Sequence, residues 1–151
     1  MSFGALSNRL FFKTVDTAEI VHLGGFSTAN DMQIKYARMM IFVKGITAAT
    51  EQFRINILPV VGSGTAIATS DWFDLADITT LTANWVGFFR FDFNGEFIDA
   101  TSDYYAQFET QNYTRNSDTA YIGLALDWPL PINTPSVPTT PAPGIEFYGL
   151  E

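Results

Sequence analysis

The sequence predicts an all-β protein, an antiparallel β-sandwich built from short strands. Three observations lead there. Apolar residues recur with a period of two along most of the chain, as they do in half-buried strands. Turn-forming residues punctuate these runs at short intervals. Helical spacing is scarce: Asp71 to Leu81 is the only candidate, and the β-prone Ile78-Thr79-Thr80 weakens it. Counting the runs gives about eight or nine strands, which points to a jelly roll, with a closed barrel as the alternative.

Taken in order, Arg9 to Val15 and Glu19 to Leu23 are expected strands, split near Asp16-Thr17. Gly24-Gly25 is expected to break the chain after them. Lys35 to Lys44 is strongly β-prone. It sets Tyr36, Met40 and Phe42 on one face and Ala37, Met39, Ile41 and Val43 on the other, as a central strand covered on both sides would. Gln52-Phe53-Arg54-Ile55-Asn56-Ile57 alternates cleanly, one face buried and one wet. Thr65 to Thr69 and Trp85 to Gly87 are shorter candidates. In Phe89-Arg90-Phe91-Asp92-Phe93 the rings point inward and the charges outward, and Asn94-Gly95 then predicts a tight hairpin turn. Tyr104 to Glu109 and Ile122 to Leu126 are two further strands, joined into a hairpin by the polar cluster Arg115 to Asp118.

The tail has another character. Six of the seven prolines fall at positions 129, 131, 135, 138, 141 and 143. Proline fixes φ and removes a backbone donor, so this stretch is expected to be extended. The division that follows is a sandwich over residues 1–128 and a Pro-rich extended C-terminal arm over 129–151, ending in a short strand. Leu130, Ile132 and Val137 lie among the prolines, and Ile145, Phe147, Tyr148 and Leu150 follow. Free linkers are more polar than this, so these seven are the candidate interface residues. The terminal strand could fold back on its own sheet or add to a neighbour's.

Composition excludes several functions. With 16 acidic against 8 basic residues the net charge is −8, which repels phosphate backbones, so no nucleic-acid partner is expected. Residues 1–70 carry 6 basic and 4 acidic groups and the remainder 2 and 12. No cysteine is present, which removes disulfides, thiolate metal sites and a thiol nucleophile. The stretch from Met1 to Arg9 has no basic leader followed by an apolar run, and no long apolar segment appears, so neither signal peptide nor membrane span is expected.

Catalytic signatures are missing as well. His22 is the single histidine and reads as structural, and Gly62-Ser63-Gly64 is a loop rather than a nucleophile elbow. No phosphate-binding, dinucleotide or zinc-protease motif occurs. Asp71, Asp74, Asp77, Asp99 and Asp103 are candidate calcium ligands, but they lack the EF-hand spacing and read as solvated loop acids. The expectation is no catalytic residue, no cofactor and no metal. Trp72, Trp85 and Trp128 are candidates for stacking on a sugar ring.

A small, acidic, Cys-free, aromatic-rich sandwich, with a Pro-rich arm from Pro129 to Pro143 and a terminal strand from Gly144 to Glu151, resembles the decoration (cement) and other jelly-roll virion proteins of tailed bacteriophages. The resemblance is one of architecture over the whole chain and carries no residue-level motif. It implies a homodimer or homotrimer on the virion surface, assembled in the host cytoplasm. Such a protein binds the major capsid protein and bridges its neighbouring copies. The alternative is a carbohydrate-binding module or phage adhesin; a small hydrolase, which needs two close carboxylates in a cleft, ranks third.

Overall fold

The computed structural model describes residues 11–46, 50–59, 64–77, 84–116, 119–126 and 145–150. They form two packed antiparallel sheets, a β-sandwich. The first sheet holds β1 (Phe11–Thr14), β3 (Met32–Lys44), β7 (Asn84–Asp92), β8 (Phe97–Ile98), β10 (Tyr121–Leu126) and β11 (Ile145–Leu150). The second holds β2 (Val21–Phe26), β4 (Gln52–Leu58), β5 (Ala68–Thr69), β6 (Phe73–Asp74) and β9 (Tyr104–Gln111).

Three columns are interrupted strands. β5 and β6 both pair with β4, β7 and β8 with β3, and β10 and β11 with the opposite side of β3. Counting each as one leaves eight columns wired in a simple way. The first pairs with the eighth, the second with the seventh, the third with the sixth and the fourth with the fifth. A chain paired like that is one long hairpin rolled into two sheets.

β3 is central, as its sequence predicts, but it is covered on one side only: the face with Tyr36, Met40 and Phe42 lies on the outside of the sandwich and stays part-exposed, because no third layer packs on it among the described residues. Ala37, Met39, Ile41 and Val43 are fully buried between the sheets, against Phe53, Ile55 and Ile57 of β4. Phe89, Phe91 and Phe93 point inward as expected. Their rings knit the sheets together: Phe89 stacks on Phe53 at 6.2 Å and on Phe73 at 4.7 Å, and Phe91 meets Phe108 edge-on at 6.4 Å. Offset and edge-on aromatic pairs add about 0.5–1.5 kcal/mol each beyond their buried area.

Several turn assignments are corrected. Asn94-Gly95 does not make a hairpin. The chain stays beside β3, with Phe93 N–H bonded to Lys35 O at 2.8 Å and Ile34 N–H to Glu96 O at 2.9 Å. Gly95 supplies φ +86 for a bulge between β7 and β8. Asn-Gly serves both purposes, and the 13-residue β3 offers the strand an edge to rejoin. Gly24-Gly25 does not break β2; it accommodates a register shift after His22, with Gly24 at φ +114. Tyr104–Gln111 and Tyr121–Leu126 lie in different sheets, so the polar cluster between them crosses the sandwich instead of closing a hairpin. Tyr113 pins that crossing: its buried hydroxyl donates to Val15 O at 2.7 Å and accepts from Ile122 N–H at 3.1 Å. Burial pushes its phenol above the ordinary tyrosine value. The helix candidate contains β6 and a single 3-10 turn, Leu75–Asp77, while residues 78–83 lie outside the described residues.

β11 is a strand of the first sheet. Leu124 of β10 pairs with Ile41, and Ile145 of β11 pairs with Met39, the next inward position on β3. The boundary expected between residues 128 and 129 therefore separates two strands on one side of β3. The Pro-rich segment 129–143 lies outside the described residues.

Candidate interaction face

The two outer faces of the sandwich differ in kind. On the first sheet, alternation turns Tyr36, Arg38, Met40, Phe42 and Lys44 of β3 outward, beside Asp92, Arg90, Phe88 and Val86 of β7. Tyr121 and Tyr148 join them from β10 and β11. The row Leu150, Gln33, Phe97 closes one end. Val86, Phe88, Phe97 and Leu150 are 53%, 56%, 62% and 59% exposed. They are four of the six large exposed hydrophobics among the described residues. Single exposed apolar residues are ordinary, but a face that gathers most of them is not.

Cations lie across the rings of this face. The Arg38 guanidinium sits 4.9 Å from the Phe88 centroid and 5.9 Å from that of Tyr148. Arg90 lies 4.1 Å from Tyr36, and Lys44 lies 5.4 Å from Tyr121. Tyr36 and Tyr148 are themselves stacked at 4.6 Å. Exposed cation–π contacts are worth about 0.5–1 kcal/mol each. Their effect here is to hold long basic side chains flat. In a chain of net charge −8, this surface presents Arg38, Lys44 and Arg90 together, with Asp92 paired to Arg90 at 2.6 Å.

The second sheet's outer face is polar and spends its groups on itself. Glu109 accepts from Arg54 Nε at 2.6 Å and from Asn56 Nδ2 at 2.8 Å. Gln111 donates to Gln52, which donates to Asp74. Gln107 Nε2 lies 3.4 Å from His22 Nδ1. Partial burial works to raise the Glu109 carboxyl, but the bonds from Arg54 and Asn56 outweigh it and hold it below the ordinary glutamate value. Arg54 also covers Trp72, 4.3 Å from its ring centroid.

The residues singled out from the sequence are dispersed. Ile145 is buried in the chain's own core. Phe147 stacks on Phe26 at 4.5 Å on the inner side, and Tyr148 lies on the outer face. Leu130, Ile132, Val137 and Trp128 lie outside the described residues. Trp72 is half-buried beneath Arg54. Trp85 points inward, 5.0 Å from Phe89, and its indole fills the space a side chain at Gly87 would need. His22 is exposed at the β2 bulge. Asp99 builds a turn: its carboxylate accepts from the Thr101 hydroxyl at 2.7 Å and amide at 3.0 Å, and from Tyr104 at 3.2 Å. The Thr101 bond, with one from Ser102, lowers its pKa. Among the described residues, no three His, Asp or Glu side chains converge as a metal site would need, and no helix is long and apolar enough to cross a membrane.

Compared with known proteins, the chain matches no family model, no curated protein and no solved structure. Sequence reasoning missed Val86, Phe88 and Phe97. The signal was present in Trp85-Val86-Gly87-Phe88-Phe89, where apolar residues occupy both phases of the alternation.

Proposed function

We propose that the protein is a structural component of a virion, a decoration protein that binds the outer capsid surface and bridges neighbouring capsid subunits without catalysis. The observation that carries this reading is the outer face of the first sheet, where exposed apolar side chains and ring-supported cations share one surface. Protein interfaces are rich in aromatic residues and arginine, and a shell-stabilising protein works through buried area. Two features support the reading. The eight-column pairing of the β-sandwich agrees with a jelly-roll reading, an architecture suited to shells. The body is acidic elsewhere, which favours one docking orientation over others.

The test is immunogold electron microscopy of particles from cultures that express the chain, with antibody raised against the purified protein. Label spread over the shell is the expected result. Label confined to tails or fibres moves the protein to the adhesin class, and unlabelled particles overturn the reading.

One observation favours the carbohydrate alternative: on the second sheet, Gln52, Gln111 and Asp74 form a polar row near Trp72. Amides and carboxylates beside an aromatic ring suit a hydroxylated ligand. A glycan array separates the two, because binding that is lost in Gln111→Ala would place the function on the second face.

A further inference from the structure

The sandwich has five free strand edges among the described residues, and four are short, irregular or interrupted. β11, paired only on its β3 side, is six residues long and shifts register between Tyr148 and Gly149. β1 is four residues long. β2 is bulged after His22. The column beside β4 is split into two stubs, β5 and β6, of two residues each. Short, bulged and interrupted strands are the usual protections against edge-to-edge pairing. The fifth edge, β7, has none of them and is the longest of the five. It runs nine residues, Asn84–Asp92, in unbroken register with β3, without proline or lysine.

Its backbone polarity can be read off. Asp92 accepts a bond at its carbonyl from Asp71 N–H at 2.8 Å, on the side away from β3, while Phe93 N–H turns toward Lys35 O. In an antiparallel ladder, successive residues direct their N–H and C=O to opposite sides. The odd positions of β7 therefore bond β3, and Asn84, Val86, Phe88 and Arg90 direct their backbone groups outward. Val86, Phe88 and Arg90 also carry outer-face side chains.

From this we infer that the β7 edge pairs with β7 of a second copy of this chain, antiparallel about a two-fold axis at Gly87, fusing two first sheets into one. The occupant follows from the row itself, which reads polar, apolar, apolar, polar. Laid antiparallel on itself about Gly87, Val86 faces Phe88 of the other copy and Asn84 faces Arg90. Apolar meets apolar, no two arginines face each other, and outward backbone groups meet outward backbone groups. An isologous contact needs such self-complementarity. The position on the axis is a glycine whose inner side is filled by its own Trp85. The inference deepens the assembly reading above by naming a self-contact, but it holds or fails apart from any shell.

The natural chain has no cysteine, so engineered ones report unambiguously. In this register, positions 86 and 88 of opposite copies stand about 5.5 Å apart between Cα atoms, within disulfide reach, whereas 86 and 86 do not. An equimolar mixture of Val86→Cys and Phe88→Cys proteins should form a disulfide-linked heterodimer under mild oxidation, and Val86→Cys alone should not cross-link. Phe88→Lys should keep the far-ultraviolet spectrum of the native protein and raise the dimer Kd at least roughly tenfold by light scattering. A wild-type chain that stays monomeric at high concentration overturns the inference while leaving the shell-labelling experiment to judge the virion reading. So does a stable oligomer whose cysteine variants do not cross-link in this pattern, which would place the self-contact elsewhere.

Discussion

The two outer faces teach different lessons about what a sheet surface is for. On the second sheet, Arg54, Asn56, Glu109, Gln52, Gln111 and Asp74 bond one another, so the polar groups that face water are already committed. On the first sheet, the cations rest on rings and Val86, Phe88, Phe97 and Leu150 stay open. One face invests in the fold and the other withholds surface from it. Substitutions should therefore be costly on the second face and inside the sandwich, and cheap for stability on the first.

The largest effect is expected from removing β11 by ending the chain at residue 144. The first sheet would lose Ile145 from the core, Phe147 from its stack on Phe26 and Tyr148 from Tyr36. Burial losses of about 2–5 kcal/mol per large side chain translate into a fall in Tm of at least roughly 10 °C for a domain of this size. A truncated protein that melts with the full chain would make β11 a dispensable arm. Phe91→Ala comes next. The ring is 1% exposed and packs against Phe108 and Phe73, so the substitution should cost about 3–5 kcal/mol by urea unfolding.

Glu109→Ala tests the second face directly. It removes the shared acceptor of Arg54 and Asn56, and the Asn56 amide is covered, so an unsatisfied group remains at a cost of about 1–3 kcal/mol. The same carboxylate sets a pH dependence. Its folded pKa lies below the ordinary glutamate value, so its contribution is fully present above that value and is lost as pH falls through the folded pKa. Urea midpoints taken between pH 6 and pH 3 should fall for the native protein. Glu109→Gln should flatten part of that fall, and an unchanged profile would mean the carboxylate carries no net charge-dependent stability.

How much of this was legible beforehand depends on which interactions are local. Alternation placed Ala37 to Val43 and Phe89 to Phe93 inward because side-chain period is a property of the strand itself. Turn partners were not legible. Asn94-Gly95 and Arg115 to Asp118 have hairpin chemistry, but which strand the chain meets next is decided by distant pairings such as Leu124 with Ile41. The terminal strand illustrates the same limit. Its apolar alternation was visible, while its place beside β3 depends on residues more than a hundred positions away. The interaction face fell between these cases. Its outward row was implied by the alternation, but an exposed Phe88 looks like a buried one until the second sheet is known to lie on the other side.

The smallest expected effect is also the sharpest separation of the two faces. Phe88→Ser removes a ring that is more than half exposed and that Arg38 overlies at 4.9 Å. Surface substitutions away from caps, cavities and networks usually stay within about 0.5 kcal/mol, and the lost cation–π contact fits that range. Stability should be nearly unchanged, against the larger cost of Glu109→Ala. The change should instead appear in association, because Phe88 stands at the centre of the outward row and its loss removes one apolar partner from each half of a self-contact. Urea unfolding and light scattering on the same preparation read both quantities. A Phe88→Ser protein that loses stability by more than about 2 kcal/mol would show the ring acting as part of the fold, in the range of buried-group effects. One that keeps both its stability and its association would leave the open rings of the first sheet without a use.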